Sequence, residues 1–145
     1  MTDFYIRECR MEDAVSLQTL NSDEMGYAYS VEDTAIKLQG LLQSGKGCIL
    51  VAVLEEKIVG YIHANDYDLL FSPHMKNIMA IAVAKGYRRH GIGGALLRKV
   101  EDWARESGAA GIRLVSGAAR TEAHAFYQSC GYRREKEQIN FKKWF

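Results

Sequence analysis

The stretch IMAIAVAKGYRRHGIGGALLRKV, residues 78–100, decides how the chain folds. It begins with six apolar residues, 78–83, and a run of that length suits a buried strand better than a helix. A basic, glycine-rich turn follows at 85–94. Beyond the turn, apolar residues recur at three- and four-residue spacing, as on the buried face of a helix: Ile92, Leu96, Val100, Trp103 and Ala104. The stretch therefore predicts a strand that runs into a helix through a basic turn.

The turn has the properties of an anion-binding site. The first N–H groups of a helix lack acceptors within the helix, and the helix dipole adds partial positive charge at the same end. Glycines let the backbone approach a ligand closely, and three basic side chains precede them, Arg88, Arg89 and His90. We therefore predict a phosphate or pyrophosphate site at residues 88–94. The structural alternative is an ordinary glycine turn of the kind that precedes helices in many α/β proteins.

Two common nucleotide-binding motifs do not fit this turn. A Walker loop ends in Gly-Lys-Ser/Thr, whereas Gly94 is followed by Ala95 and Leu96. A dinucleotide fingerprint needs a third glycine where Leu96 stands, and an acidic residue after the next strand. That strand is followed by Ser116 and Gly117 instead. A Rossmann-type nucleotide binder is therefore only a minor alternative.

Two motifs resemble those of the Gcn5-related N-acetyltransferase family. The family signature Gln/Arg-x-x-Gly-x-Gly/Ala reads Arg88-Arg89-His90-Gly91-Ile92-Gly93, with the family's upstream valine at Val83 and its aromatic at Tyr87. A second block reads Arg120-x-x-Ala123-x-x-Phe126-Tyr127-x-x-x-Gly131-Tyr132. The two blocks stand in the family's order and at its separation, and the resemblance covers essentially the whole chain.

Composition is that of an ordinary globular protein. The 145 residues are enough for one domain with a hydrophobic core, expected to span 1–145, and 48% are apolar and 26% charged. The net charge of +1 gives no general attraction to nucleic acid or to a membrane. Three cysteines without a C-x-x-C pair indicate neither a metal knuckle nor a disulfide framework. The sequence shows no membrane-spanning apolar stretch and no signal peptide, so we expect a cytoplasmic protein.

The remaining patterns predict an α/β domain with the element order β-α-α-β-β-β-α-β-α-β-β. Strands are expected at 4–9, 48–54, 58–64, 78–83, 112–116, 133–136 and 139–144, with a polar excursion at 66–77. Helices are expected to begin at Met11, behind a Ser30 cap, near Ile92 and behind a Thr121 cap. Periodicity alone predicts only a partly antiparallel sheet. The resemblance implies a GNAT-like mixed, mostly antiparallel seven-stranded sheet, flanked by four helices and splayed at the cofactor site.

The resemblance also implies acetyl-CoA as cosubstrate and assigns its contacts. The pyrophosphate would lie on the turn, and the pantetheine would pair like an extra strand with the main chain of the signature strand. The residues so assigned are Ile81, Ala82, Val83, Arg88, Arg89, His90, Gly91, Ile92, Gly93, Gly94 and Ala95. The second block adds Arg120, His124 and Tyr127. Arg120 replaces the family's usual asparagine, and together with Ala123-His124 it is similar to acetyltransferases of aminoalkylphosphonates and aminoglycosides.

The same resemblance assigns catalytic roles. Tyr127 matches the tyrosine that the family uses as general acid toward the CoA thiolate, and a phenol of pKa near ~10 can protonate a thiolate of near ~8.5 character. The alternative for Tyr127 is an aromatic packed beside Phe126. The family's strand glutamate, a general base, is missing at 79–81. The base candidates therefore come from the loops around the acceptor pocket, namely Glu24, His63, Asp66 and His74.

Substrate candidates are Tyr27, Tyr29 and Asp68, because acids and tyrosines together suit a cationic amine. Any of these candidates could instead be an ordinary surface group. The resulting hypothesis is an acetyl-CoA-dependent N-acetyltransferase that acts on a primary amine of a small molecule. The amine would attack the thioester directly in a ternary complex, with no metal ion.

Two alternatives remain open. One is acetylation of protein N-termini or lysines, and the other is a non-catalytic acyl-CoA-binding regulatory module. We expect no nucleic-acid or membrane partner, and the closing strand 139–144 could pair two copies in a homodimer.

Overall fold

The computed structural model describes residues 3–145, which fold into five strands and four α-helices. The strands are β1 Phe4–Glu8, β2 Gly47–Leu54, β3 Lys57–Tyr67, β4 Met75–Val83 and β5 Ile112–Leu114. The helices are α1 Ala14–Met25, α2 Val31–Ser44, α3 Ile92–Glu106 and α4 Thr121–Ser129. Short 3₁₀ turns precede α1 at Met11–Asp13 and follow β4 at Lys85–Tyr87.

The chain divides into two compact units, and the first, which ends at Leu114, contains the whole sheet. The strands follow one another in the order β1-β2-β3-β4-β5. The first three pairings are antiparallel, and β4 and β5 are parallel because α3 connects them as a crossover. The second unit, Val115–Phe145, contains α4.

Both faces of the central strands are covered. α1 and α2 pack on one face, where Leu17, Leu20 and Leu38 form a core with Val51 and neighbouring strand residues. The other face is covered by α3, whose buried residues are Ile92, Leu96, Leu97, Val100 and Ala104. Burial on both sides explains why β2 reads as an unbroken apolar run rather than as an alternating one.

Local signals in the sequence place several boundaries correctly. The Ser30 hydroxyl accepts a hydrogen bond from the Asp33 N–H at 3.0 Å at the start of α2. Gly26 and Gly45 end α1 and α2 in the left-handed conformation, with φ of 73° and 69°. The strands predicted at 48–54 and 58–64 are also confirmed, and they form an antiparallel hairpin as β2 and β3.

The first predicted helix begins differently from expectation. Asp13, which precedes α1, is 3% exposed and binds Arg7 of β1 through both carboxylate oxygens, at 2.8 and 2.9 Å. It also accepts the Arg10 N–H at 2.8 Å. Burial alone would raise the pKa of Asp13, but these hydrogen bonds and the charge of Arg7 lower it overall. Asp13 therefore joins β1 to the start of α1.

The seven-stranded sheet is wrong for the described residues, which form five strands. The predicted closing pair, 133–136 and 139–144, is not in strand conformation. An alternating pattern forms a strand only when it pairs with another strand, and no pairing involves 133–144 among the described residues. Its large apolar side chains are exposed, namely Ile139, Phe141, Trp144 and Phe145.

Two further boundaries are corrected. The polar excursion is shorter than 66–77, because β3 continues to Tyr67 and β4 begins at Met75. The extension is stabilised by Lys76, which is buried and paired with Asp66 at 2.5 Å. α4 is capped by Arg120 without a side-chain hydrogen bond, and Thr121 is its first residue rather than its cap.

Candidate active site

The turn between β4 and α3 presents an open helix N-terminus. Arg89 and Gly91 both have left-handed backbone, with φ of 68° and 79°, a conformation that glycine adopts readily and arginine rarely. The Ala95 N–H donates to the Gly91 carbonyl at 3.0 Å. The amides that lack a helical acceptor are therefore those of residues 92–94. No acidic residue lies in the first turn of α3, so this end is electropositive.

The turn is held by a residue of α1. Arg88 Nη2 lies 2.7 Å from Glu24 Oε1, and the other Glu24 oxygen accepts the Lys85 N–H at 3.2 Å. Glu24 therefore uses both carboxylate oxygens on the turn, which places it as a positioning residue rather than as a free base. Arg89 and His90 are exposed and stand next to the open amides.

The edge of β4 is open over most of its length. β5 pairs with β4 only at Lys76–Ile112, Asn77–Arg113 and Ile78–Leu114. Within residues 3–145, no strand pairs with 79–83 on this edge. The opposite edge of the same residues is paired with β3. A strand-like ligand could therefore add to β4 from Met79 to Val83.

The alternation of the backbone decides which residues face the open edge. The Ala84 N–H donates to a β3 carbonyl at 2.8 Å, so the main-chain groups of Ala82 also point to β3. Those of Ile81 and Val83 point to the open edge, and the Val83 carbonyl accepts the Arg88 Nε–H there at 3.3 Å. Of the three residues assigned to pantetheine, two offer main-chain groups and Ala82 does not.

Five side chains line one face of β3, β4 and β5 and are called here the polar row: His63, Asn65, Tyr67, Asn77 and Arg113. The strand register places Asn65 opposite Asn77 and Asn77 opposite Arg113. His63 Nε2 lies 3.1 Å from Asn65 Oδ1, and Arg113 Nη1 donates to Asn77 Oδ1 at 2.6 Å. The Arg113 guanidinium lies 4.4 Å from the centre of the Tyr67 ring. These contacts form two groups, His63 with Asn65 and Arg113 with Asn77 and Tyr67, and the strand register places the groups side by side.

The polar row lies on the face of the sheet that carries α1 and α2. The alternate residues Asp66 and Lys76 point to the other face, where Lys76 Nζ lies 4.2 Å from the centre of the Trp103 ring in α3. Tyr61, two residues before His63, belongs to the core under α1 and α2, and its hydroxyl is hydrogen-bonded to Asn21. The polar row therefore continues this core toward the start of β4.

His63 is the base candidate whose partner in the structure is a neutral side chain, Asn65, rather than a charged one. Burial lowers its pKa, and the hydrogen bond to Asn65 offsets part of that effect, so the pKa lies below the usual value of 6.5. The imidazole is therefore neutral near pH 7. His63 stands opposite Ala80 in the register, beside the open part of β4.

The other residues predicted to act as the base or to bind the acceptor amine do not lie in the polar row. Asp66 is paired with Lys76 on the α3 face, and Asp68 Oδ1 lies 2.7 Å from His74 Nδ1. Tyr27 and Tyr29 lie between α1 and α2 and are largely exposed. The structure therefore does not bring Glu24, Asp66, Asp68 and the two tyrosines together into an acidic pocket.

The second unit contains the second family motif. Tyr127 is buried on α4, with its ring centre 5.3 Å from that of Phe126 and 6.2 Å from that of Tyr132. Burial raises the pKa of Tyr127, and the charge of Arg120 opposes this effect. Its hydroxyl forms no hydrogen bond within residues 3–145. His124 Nε2 lies 2.9 Å from the Gly117 carbonyl, so its ring is engaged within this unit.

Comparison with known proteins decides the family. A model of the acetyltransferase (GNAT) family matches residues 14–132, which include the open turn, the polar row and Tyr127. The chain belongs to the GNAT family. The match spans both compact units of this GNAT protein.

Two individual relatives match this GNAT protein over only part of their own length. It is 34% identical over 91 residues to N-acetyltransferase 8 of Homo sapiens, covering 60% of this chain and 39% of the relative. It is 33% identical over 105 residues to streptothricin acetyltransferase A of Bacillus subtilis (strain 168), covering 70% and 56%. The chain thus spans less than two thirds of either relative.

A solved structure confirms the fold. The aminoglycoside N-acetyltransferase AAC(6')-Iy, crystallised with CoA, superposes with a TM-score of 0.89 over 99% of this chain and 96% of that chain, at 16% identity. At this identity the likeness concerns the fold alone. No helix among residues 3–145 is long and apolar enough to span a membrane. Within the same residues, no group of three or more potential ligands could hold a metal ion.

Sequence reasoning missed four of the five members of the polar row of this GNAT protein, Asn65, Tyr67, Asn77 and Arg113. The sequence pattern places the first three at a strand end and in a polar loop, and it places Arg113 only within a strand. The available signal was the register of β3 against β4, which is not visible in either segment alone. Glu24 was selected, but its contact with Arg88 spans 64 residues of sequence and gives it another role.

Proposed function

We propose that the chain is an acetyl-CoA-dependent N-acetyltransferase that acts on a primary amine of a small molecule. The observation that carries the proposal is the open edge of β4, residues 79–83, which is connected by the turn at 84–91 to the open N-terminus of α3. One end can pair with the amides of an extended chain, and the other can bind a pyrophosphate. An acyl-CoA has both parts in that order.

The chain's residues would divide the binding of acetyl-CoA between them. The amides of 92–94 would hold the pyrophosphate, with Arg89 as a neighbouring cation and His90 as a further side chain that can donate a hydrogen bond. Main-chain groups of Ile81 and Val83 would pair with pantetheine. Four residue steps separate Val83 from Met79, roughly 13 Å at the rise of a strand. The thioester would therefore lie near the start of the open edge, next to the polar row.

The acceptor amine would be placed on the sheet face beside Ala80. Its nitrogen attacks the thioester carbon, the C–S bond breaks, and the amine loses one proton. His63 is the proposed acceptor of that proton, because it is neutral near pH 7 and stands opposite Ala80. Tyr127 is the proposed donor to the departing thiolate. Its raised pKa keeps the phenol protonated at neutral pH, and solvent then restores both groups.

The test measures amine-dependent release of CoA thiol by the purified chain, with the acetylated amine identified by mass spectrometry. The panel should include small amines, lysine-bearing peptides and peptides with free N-termini. We expect turnover of small amines to exceed that of peptides. Turnover of peptides alone would favour a protein acetyltransferase.

A second measurement separates binding from catalysis. CoA should raise the melting temperature by ligand linkage, and NAD should not. Stabilisation by CoA without turnover of any amine or peptide would contradict the proposal and support a non-catalytic acyl-CoA-binding module. Stabilisation by NAD in preference to CoA would support a nucleotide binder.

A further inference from the structure

Arg113 differs from the other shielded cations of the first unit. Among the described residues up to Leu114, three cationic side chains are not exposed: Arg7, Lys76 and Arg113. Arg7 is paired with Asp13 at 2.8 Å, and Lys76 with Asp66 at 2.5 Å. No carboxylate within residues 3–145 forms an ion pair with Arg113. Arg113 is half-buried, and an anionic ligand would supply the counter-charge that these ion pairs give to Arg7 and Lys76.

The guanidinium of Arg113 is held in place with donors to spare. Asn77 Oδ1 accepts from Nη1 at 2.6 Å, and the Tyr67 ring lies under the guanidinium at 4.4 Å. The Tyr67 ring covers one face of the guanidinium, and the hydrogen bond to Asn77 uses one of its five N–H donors. A fixed planar guanidinium with free donors matches the two oxygens of a carboxylate.

The position of Arg113 relates this anion site to the proposed reaction. Arg113 stands opposite Asn77, which lies three residues before Ala80 on β4. Three strand steps span roughly 10 Å, less where the strand is irregular. An amine beside Ala80 could therefore carry its anionic group to Arg113 across only a few bonds.

We propose that the acceptor is an amine that also carries a carboxylate, and that Arg113 binds that carboxylate. This inference rests on the proposed acetyltransferase function. It differs from the expectation of a cationic acceptor, which depended on acids that already have partners in the structure. Asp66 is paired with Lys76 and Glu24 with Arg88, and Asp68 lies 2.7 Å from His74 Nδ1.

The experiment compares matched amines that differ only in charge. Amino acids such as glycine, β-alanine and aspartate are assayed against their carboxamides in the full chain with acetyl-CoA. We expect kcat/KM to be at least about 10-fold higher for the carboxylates, since hydrogen bonds to a charged group contribute about 10- to 100-fold. Arg113→Gln should abolish this preference by raising KM for the carboxylates, with little change for the amides. Arg105→Gln, which removes an exposed cation of α3, is the matched control and should keep the preference.

Two further variants cover the case in which Arg113→Gln folds poorly, as judged by its melting temperature. Arg113→Lys keeps the charge without the planar fork and should retain part of the preference. Arg113→Glu should reverse it in favour of diamines.

The outcomes separate the two proposals. Equal turnover of carboxylates and amides by the wild type, or an unchanged preference in all three Arg113 variants, would overturn the acceptor assignment alone. If no amine is acetylated while CoA still stabilises the chain, the proposed function is overturned, and the acceptor assignment with it.

Discussion

His63→Gln tests whether the polar row supplies the base for the proposed reaction. Glutamine keeps a side chain of similar reach that can still hydrogen-bond Asn65, and it removes the group that can take a proton. A general base typically contributes roughly 10²–10⁴-fold. Because burial lowers the pKa of His63, the imidazole is a weaker base than a free one, so we expect kcat to fall by roughly 100-fold. The melting temperature and its rise with CoA should change little.

The pH dependence of kcat provides the sharper assay. His63 accepts a proton only when it is neutral, so kcat should rise with pH through the pKa of His63, below 6.5, and then level off. Asn65→Asp should move this rise to higher pH, since a carboxylate favours the imidazolium. Asn65→Leu should move it to lower pH, because the hydrogen bond to Asn65 supports the charged form. His63→Gln should remove it. A profile that is the same in all four proteins would refute His63 as the base and leave water in that role.

The ionisation of His63 also makes the free energy of unfolding depend on pH. The folded pKa of His63 is below the unfolded value of about 6.5, so the unfolded chain takes up the proton first as pH falls. Stability should therefore decrease below about pH 6.5 and be unaffected by this group above it. Urea unfolding of His63→Gln should show a weaker decrease over that window than the wild type shows.

Four other changes test the remaining assignments. Tyr127→Phe keeps the ring and should lower kcat by roughly 10- to 100-fold without a change in CoA affinity, whereas a wild-type rate would make Tyr127 a packing residue. Gly93→Val places a branched side chain where phosphate should meet backbone, so CoA should no longer raise the melting temperature, and an unchanged shift would contradict the pyrophosphate site. Asp13→Asn leaves Arg7 shielded and unpaired and should cost about 3 kcal/mol in urea unfolding at pH 7, and this difference should shrink as pH falls through the lowered pKa of Asp13. Deletion of 138–145 removes four exposed apolar side chains and should convert a dimer to a monomer in light scattering, and a wild-type monomer would end the homodimer hypothesis.

Local chemistry explains what the sequence could predict. The strand, turn and helix of 78–100 each follow from their own residues, since apolar run length, glycine and helical spacing act within a few positions. The Ser30 cap and the glycines at 26 and 45 are local for the same reason. The sequence also predicts an anion site at the open turn, because unsatisfied helix amides belong to any helix start.

Partners distant in sequence explain what could not be predicted. Glu24 looked like a free acid because its partner Arg88 is far along the chain. Asp66 looked like a loop residue because nothing in 66–77 shows that Lys76 returns to pair with it. The tail at 139–144 has strand-like alternation, but a strand needs an edge, and local pattern cannot say whether one is present.

A single irregularity in β4 creates the polar row. His63 pairs with Ala80 and Ala64 with Ile78, so Met79 has no partner in β3. In a regular strand Asn77 and Ala80, three residues apart, would point to opposite faces. The unpaired Met79 shifts the alternation of side chains along β4 by one residue. Asn77 therefore lies on the same face as Ala80 and its partner His63. Met79 is also the first residue of the open edge, so the irregularity brings the polar row beside the place where the proposed cosubstrate would pair with β4.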